Sequence, residues 1–323
     1  MFSILGGGVA GLSVASELVA RGAAVQVFDP AGAPGAHACS WWAGGMLAPF
    51  CEYENAEEPV MRLGRDAAAW WGERTHVDRR GTLVVAQRRD RPDLRRFAQR
   101  TDHHRVLSAG EIAELEPDLS GFDHGLFFED EAHLSPRRAL EDLRIDLQEK
   151  GASFHECPAA EDLANVIDCR GYAARDTLPD LRGVKGEMLI LRAPEIQITR
   201  PVRLLHPRLP LYIVPRGAGI YMLGATMIEA EDRRRVTARS LLELLSAAYA
   251  LNPAFGEAEI VEIGVDLRPA FPDNLPKVRR VDQTIYANGL YRHGFLLAPA
   301  LARCVADFAL ETKKTELFDD DHS

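Results

Sequence analysis

ILGGGVAGLSVASELVARGAAVQVFD, residues 4–29, decides the fold. Phe2–Leu5 is a short apolar run and predicts a strand. Gly6, Gly8 and Gly11 follow at once as G-x-G-x-x-G. Val9, Leu12, Ala15, Leu18 and Val19 recur at helical spacing until Gly22 stops the helix. Val25, Val27 and Phe28 then rebuild a strand that ends at Asp29. Each part has a physical task. Gly6 permits the tight turn, Gly8 lets backbone approach a pyrophosphate, and Gly11 lets the helix lie close on the sheet. The N–H groups around Val9 and Ala10 and the positive helix end suit phosphate. Asp29 stands where an acid can bind ribose hydroxyls. This turn predicts a dinucleotide and does not separate NAD from FAD.

With 323 residues, the chain has length for about two domains. Lys and Arg number 38 against 48 Asp and Glu, a net charge of −10, which argues against a nucleic-acid partner. The five cysteines, Cys39, Cys51, Cys157, Cys169 and Cys304, include no C-x-x-C pair and are odd in number. Neither a disulfide framework nor a metal site is expected. The first strand starts at residue 2, so no signal peptide is expected. No run approaches the ~18 apolar residues of a spanning helix. The expectation is a cytoplasmic protein without membrane attachment, and a homo-oligomer is compatible with it.

Residues 31–50 (AGAPGAHACSWWAGGMLAPF) are small and irregular around Trp41 and Trp42. They suit either a bed for a flat ring or a surface loop with an aromatic anchor. Helices are predicted over 56–74, 91–100, 108–115, 136–150, 238–250 and 298–309, with Ser108 capping ahead of Glu111. Strands are predicted over 81–86, 125–128, 152–155, 165–168, 260–267 and 284–287. Between 183 and 227 four apolar runs separated by Pro, Arg and Gly read as antiparallel strands. The tail from Thr312 is polar, acidic and expected to fray. The fold class is therefore α/β, in two interleaved domains. A Rossmann-like nucleotide-binding domain takes residues 1–80, 133–182 and 262–323. A mixed, mainly antiparallel substrate domain takes 81–132 and 183–261. Ligands would sit at their junction, beyond the carboxyl ends of the parallel strands.

Four segments together resemble one family: the fingerprint at 4–29, ACSWWAGGMLAP at 38–49, LYIVPRGAGIYMLGATM at 211–227, and GVDLRPAFPDNLP with GLYRHGFLLAPA within 264–300. The chain resembles the glycine oxidase branch of the D-amino-acid oxidase flavoproteins, of the ThiO type found in thiamine biosynthesis. The resemblance implies non-covalent FAD, since no cysteine lies near Arg268. It implies oxidation of glycine or a similar small amino acid by oxygen, giving an imine, then glyoxylate and ammonia, with hydrogen peroxide. It also implies that the imine can pass to a thiazole synthase. It places the flavin ring against Ala43, Gly44, Gly45, Met46 and Leu47, with Ser40 nearby, and close to Tyr291, Arg292, His293, Gly294 and Phe295. Gly171 falls on the adenine side, as does Cys157. Tyr212 and Arg268 correspond to the substrate-carboxylate binders, and Arg292 to the second active-site arginine. Met227, Trp42 and Tyr291 fall around the substrate pocket. An N-methyl (sarcosine-like) amino-acid oxidase shares all these residues. An amino-acid dehydrogenase passing electrons to quinone is a further alternative.

The residues suit that chemistry. A planar guanidinium donates to both oxygens of a carboxylate, and Arg268 followed by Pro269 offers a stiff platform for one. By itself Arg268 could equally serve an interdomain salt bridge, and Tyr212 could be a packed strand tyrosine. No obligatory side-chain base is evident. Hydride loss from the α-carbon is then expected to rest on positioning and exclusion of water. The loop Arg292–Gly294 ahead of the last helix can offer N–H groups and a positive dipole end to a reduced ring.

Overall fold

The computed structural model describes residues 1–54, 58–156, 158, 163–206 and 211–320. In chain order the strands are β1 (Phe2–Leu5), β2 (Val25–Phe28), β3 (Met46–Leu47), β4 (Thr82–Ala86), β5 (Arg105–Ser108), β6 (His124–Phe128), β7 (Ala132–His133), β8 (Ser153–His155), β9 (Val166–Asp168), β10 (Arg182–Arg192), β11 (Val202–Leu205), β12 (Leu211–Gly217), β13 (Ile220–Gly224), β14 (Glu259–Ala270), β15 (Lys277–Val281) and β16 (Thr284–Asn288). Six form a sheet in the order β15-β16-β9-β1-β2-β8. It is parallel from β16 to β8, and β15 joins it antiparallel. Eight form a second sheet, β14-β10-β13-β12-β11-β4-β6-β5, antiparallel except for the β11–β4 pair. β3 and β7 make a small ladder between them.

The helix Val9–Ala20 is predominantly apolar and buried. Its core, with Leu12, Val14 and Leu18 fully shielded, continues into the helices Pro136–Glu149 and Gly294–Glu311. The last helix starts four residues earlier than its apolar pattern suggests and carries Pro299 inside it. Pro299 has no N–H for the Phe295 carbonyl one turn back. Trp71 supplies the missing donor, Nε1 to Phe295 O at 2.7 Å.

Other expectations shift for similar reasons. The predicted helix over 56–74 is two helices, Glu58–Gly64 and Ala67–Gly72; residues 56 and 57 lie outside those described. At the break a Cβ on Gly64 would stand 2.7 Å from the Leu296 side chain, which would have to shift to admit it. The strand predicted over 260–267 runs from Glu259 to Ala270, because β10 pairs with it along that whole length. Arg268 and Pro269 are therefore within a strand of the eight-stranded sheet and not just past its end. The tail is not frayed up to Asp319. Leu317 is buried, Val278 N donates to Leu317 O at 2.7 Å, and Asp319 pairs with Arg279. Residues 321–323, like Cys157, fall outside the described residues. Cys39, Cys51, Cys169 and Cys304 are free thiols. Among the described residues no helix is long and apolar enough to cross a membrane.

Candidate active site

One cavity of about 830 Å³ runs from the glycine turn to the face of the eight-stranded sheet. Gly6, Gly8, Val9 and Ala10 line one end. Gly6 has φ +101°, and a Cβ there would meet the Cys169 carbonyl oxygen at 2.6 Å, so the turn requires glycine. Gly11 does not line the cavity. A Cβ on it would stand 1.9 Å from Gly6 O, so its task is the close approach of helix to turn. Gly8 is the open position: a Cβ would meet only Ser40 Oγ, at 3.3 Å. Ser40 Oγ accepts from Val9 N at 3.3 Å and fixes the loop across the helix start.

Asp29 stands beside this end, buried, with both oxygens held. Oδ2 accepts from Gly7 N at 2.8 Å. Oδ1 accepts from Ala31 N at 3.1 Å and pairs with His37 Nε2 at 2.7 Å. His37 also lines the cavity. Gly171 faces it from a neighbouring loop at φ +61°, tied down by Asn288 Nδ2 donating to its carbonyl at 2.8 Å. An exposed helix N-terminus, a glycine left bare on its cavity side and a buried carboxylate are the donor and acceptor set that a dinucleotide such as FAD requires.

Trp42, Ala43, Gly44, Tyr212, Arg268, Tyr291, Arg292, Gly294 and Phe295 line the same cavity, Gly294 beside Val9 of the glycine turn. Arg268 projects from β14 opposite β10, where Gly186 pairs with Asp266 two residues away. A Cβ on Gly186 would stand 2.4 Å from Arg268 Cζ, so the guanidinium lies flat on bare backbone. Nη1 donates to Thr226 O at 3.0 Å. Tyr212 is wedged between two glycines: Cβ atoms on Gly44 and Gly224 would stand 2.9 and 3.0 Å from its ring. Trp42 lies on Gly264 in the same way, at 2.3 Å, with Met188 behind it. We expect Gly186→Ala to raise the KM for an amino-acid substrate about tenfold or more while FAD stays bound. On the carboxylate-binding role proposed for Arg268, the added methyl displaces the guanidinium by more than a bidentate contact tolerates. Steady-state kinetics beside the flavin spectrum tests this, and an unchanged KM would remove Gly186 as the seat of Arg268.

Not every residue named from sequence reaches the cavity. Ala43 and Gly44 line it, but the chain then turns away. Gly45, at φ +69°, faces the Leu134 carbonyl, and Met46 and Leu47 pair with β7. This turn is held by Arg216 on β12, which donates to Leu134 O at 2.9 Å, Gly44 O at 2.8 Å and Ala43 O at 3.2 Å. Burial draws the Arg216 pKa down to about 10. Met227 is 48% exposed outside the lining, its sulfur 3.9 Å from the Tyr291 hydroxyl. His293 is buried away from the cavity, and burial pushes its pKa down to about 4, so the ring is neutral at pH 7. Residues that sequence did not single out join the site: Gly186, Asp266, Arg233 and His37 line it. Burial pushes the Asp266 carboxyl up, and Arg233 Nε approaches it at 3.1 Å. Two signals could have found them. A glycine inside a strand marks a close approach, and Asp266 shares a strand face with Arg268. Nothing in the sequence points to Arg216.

The geometry agrees with comparisons to known proteins. A Rhizobium etli protein, whose name assigns it provisionally to thiamine biosynthesis as the oxidoreductase ThiO, is 54% identical over 93% of this chain and 94% of its own length. The bifunctional protein ThiO/ThiG of Synechocystis is 27% identical over 97% of this chain, which spans only about half of it, 52%. The crystal structure of glycine oxidase from Bacillus cereus superposes with a TM-score of 0.82, covering 98% of each chain at 22% identity, and so shares the fold. The family model described as FAD dependent oxidoreductase (DAO) matches residues 2–308, and the chain belongs to that family of FAD-dependent enzymes.

Proposed function

We propose that the protein oxidises glycine, or another small α-amino acid, to its imine in the thiazole branch of thiamine biosynthesis. Oxygen is the final acceptor, hydrogen peroxide is released, and water converts free imine to glyoxylate and ammonia. One observation carries this reading: Arg268, seated on Gly186, faces the same cavity as the glycine turn and Asp29. In it, Gly8–Ala10 and Asp29 hold the ADP half of non-covalently bound FAD. Arg268 takes the substrate carboxylate in bidentate fashion, and the Tyr212 hydroxyl donates to the same group. Trp42, filling the space over Gly264, keeps the pocket small. Arg292 and the start of the last helix supply positive charge where negative charge develops. Bound FAD supplies the two-electron acceptor for the α-hydrogen. No side chain is assigned as base, and the buried, neutral His293 has no part in it.

The bifunctional relative joins a segment like this chain to one named ThiG, which supports hand-over of the imine to a thiazole synthase. The purified protein should be yellow and should release peroxide with glycine faster than with sarcosine, D-alanine or D-proline. Preference for sarcosine would favour an N-methyl amino-acid oxidase. Turnover with a quinone or dye but no peroxide under air would replace the oxidase by a dehydrogenase.

A further inference from the structure

Behind the cavity wall, Glu52 gathers two arginines from separate parts of the chain, with a neutral histidine beside them. It ends the short helix Pro49–Glu52 and is buried. Its Oε1 is paired with Arg203 on β11. Its Oε2 accepts from Arg292 Nη2 at 2.9 Å, and His293 Nδ1 stands 3.7 Å from the same oxygen. Arg203 lies directly opposite Tyr212 in the β11–β12 ladder. One carboxylate thus touches the arginine of the cavity wall and the strand neighbour of the cavity tyrosine.

We propose that Glu52 is a positioning residue for the reaction: its carboxylate fixes the Arg292 guanidinium in the cavity wall and, through Arg203, ties that wall to the strands that carry Tyr212. The inference rests on the amine-oxidising reading above. A long arginine side chain loses its value as a fixed charge when it wanders, and a buried partner holds it in one pose. Burial alone would raise the Glu52 carboxyl, but Arg203 and Arg292 outweigh it and hold it down at about 2, so the tether is charged at any working pH. His293 adds no charge at pH 7. Glu131, whose Oε1 accepts from Cys51 N at 2.7 Å beside this group, is pushed up by burial to about 8. The cluster at neutral pH is then two guanidiniums on one carboxylate, a surplus of positive charge whose open side is Arg292, the member that lines the cavity.

The test uses the FAD-loaded protein. In Glu52→Gln we expect kcat with glycine to fall about tenfold, KM to stay within about threefold because Arg268 is untouched, and the FAD reduction potential to become more positive as Arg292 loses its counter-charge. In an Arg292→Ala background the same change should alter kcat by less than about twofold, since Glu52 would have nothing left to position. An additional large loss in that background, or an unmoved potential, overturns the proposal. If Glu52→Gln does not fold because Arg203 is orphaned, Glu52→Gln with Arg203→Met removes both charges and should show the same fall in kcat; parental kcat in it overturns the proposal. The potential is measured without any amine. A shifted potential in a protein inert towards glycine therefore upholds the tether and sinks the substrate reading instead.

Discussion

Arg268→Ala is expected to lose about a thousandfold in kcat/KM towards glycine while retaining FAD. In the proposed complex the guanidinium makes two charge-assisted hydrogen bonds to the substrate carboxylate. Bonds to charged groups contribute roughly 1.5–3 kcal/mol each, so about 4 kcal/mol in all. At 1.4 kcal/mol per tenfold that is close to three decades. The fold should tolerate the change. Among the described residues Arg268 makes one hydrogen bond, to Thr226 O, and has no carboxylate to strand, and it lies on the bare backbone of Gly186. The flavin spectrum should therefore persist. Steady-state peroxide assays across glycine concentrations check the prediction, and turnover within about tenfold of the parent would move the carboxylate site elsewhere. Arg268→Lys should recover only part of the loss, because an ammonium lacks the planar fork.

The second large effect is expected behind the glycine turn and in a different property. Gly11→Ala should abolish FAD retention and lower the melting temperature. The new Cβ would lie 1.9 Å from Gly6 O, a backbone atom of the very turn that lines the cavity. No rotamer relieves a clash between Cβ and backbone, so the helix Val9–Ala20 must lift from the turn. Overpacking of this kind costs about 3 kcal/mol. For a chain of this size a loss of that order lowers Tm by roughly 4 °C. Absorbance after gel filtration and a thermal melt would read both consequences. A yellow Gly11→Ala protein with parental Tm would mean that the helix has slack the geometry denies.

These two positions mark how much could be read in advance. The glycine turn is local: strand, turn, helix start and terminal acid lie within 29 residues, and their spacing is dictated by backbone geometry. Gly6, Gly8 and Asp29 accordingly line one cavity. The long apolar patterns at β10–β14 and the capping box at Ser108 were legible for the same reason. The stretch 43–47 was legible only in part. Its small residues signal close contact, but which face each presents depends on Leu134, Pro136 and Arg216, far away in sequence. Gly45 is small because the Leu134 carbonyl, in the connection from β7 to the helix Pro136–Glu149, closes on it, not because of a ring. Arg292 and the adjacent His293 both reach Glu52 Oε2, yet only Arg292 also lines the cavity.

What the sequence by itself determined is the strand, glycine turn and helix start and the α/β class. Those follow from short-range periodicity and from backbone geometry that does not depend on surroundings. Arg268 and Tyr212, which suit an amino-acid carboxylate, entered only through the family resemblance. Tertiary structure alone decided how that chemistry is held. Gly186 under Arg268, Arg216 behind Gly44, and Glu52 between Arg203 and Arg292 are contacts made across wide separations in the chain. A buried charge is recognisable only when its partners are known, because burial and pairing are properties of the packed molecule and leave no pattern along the chain.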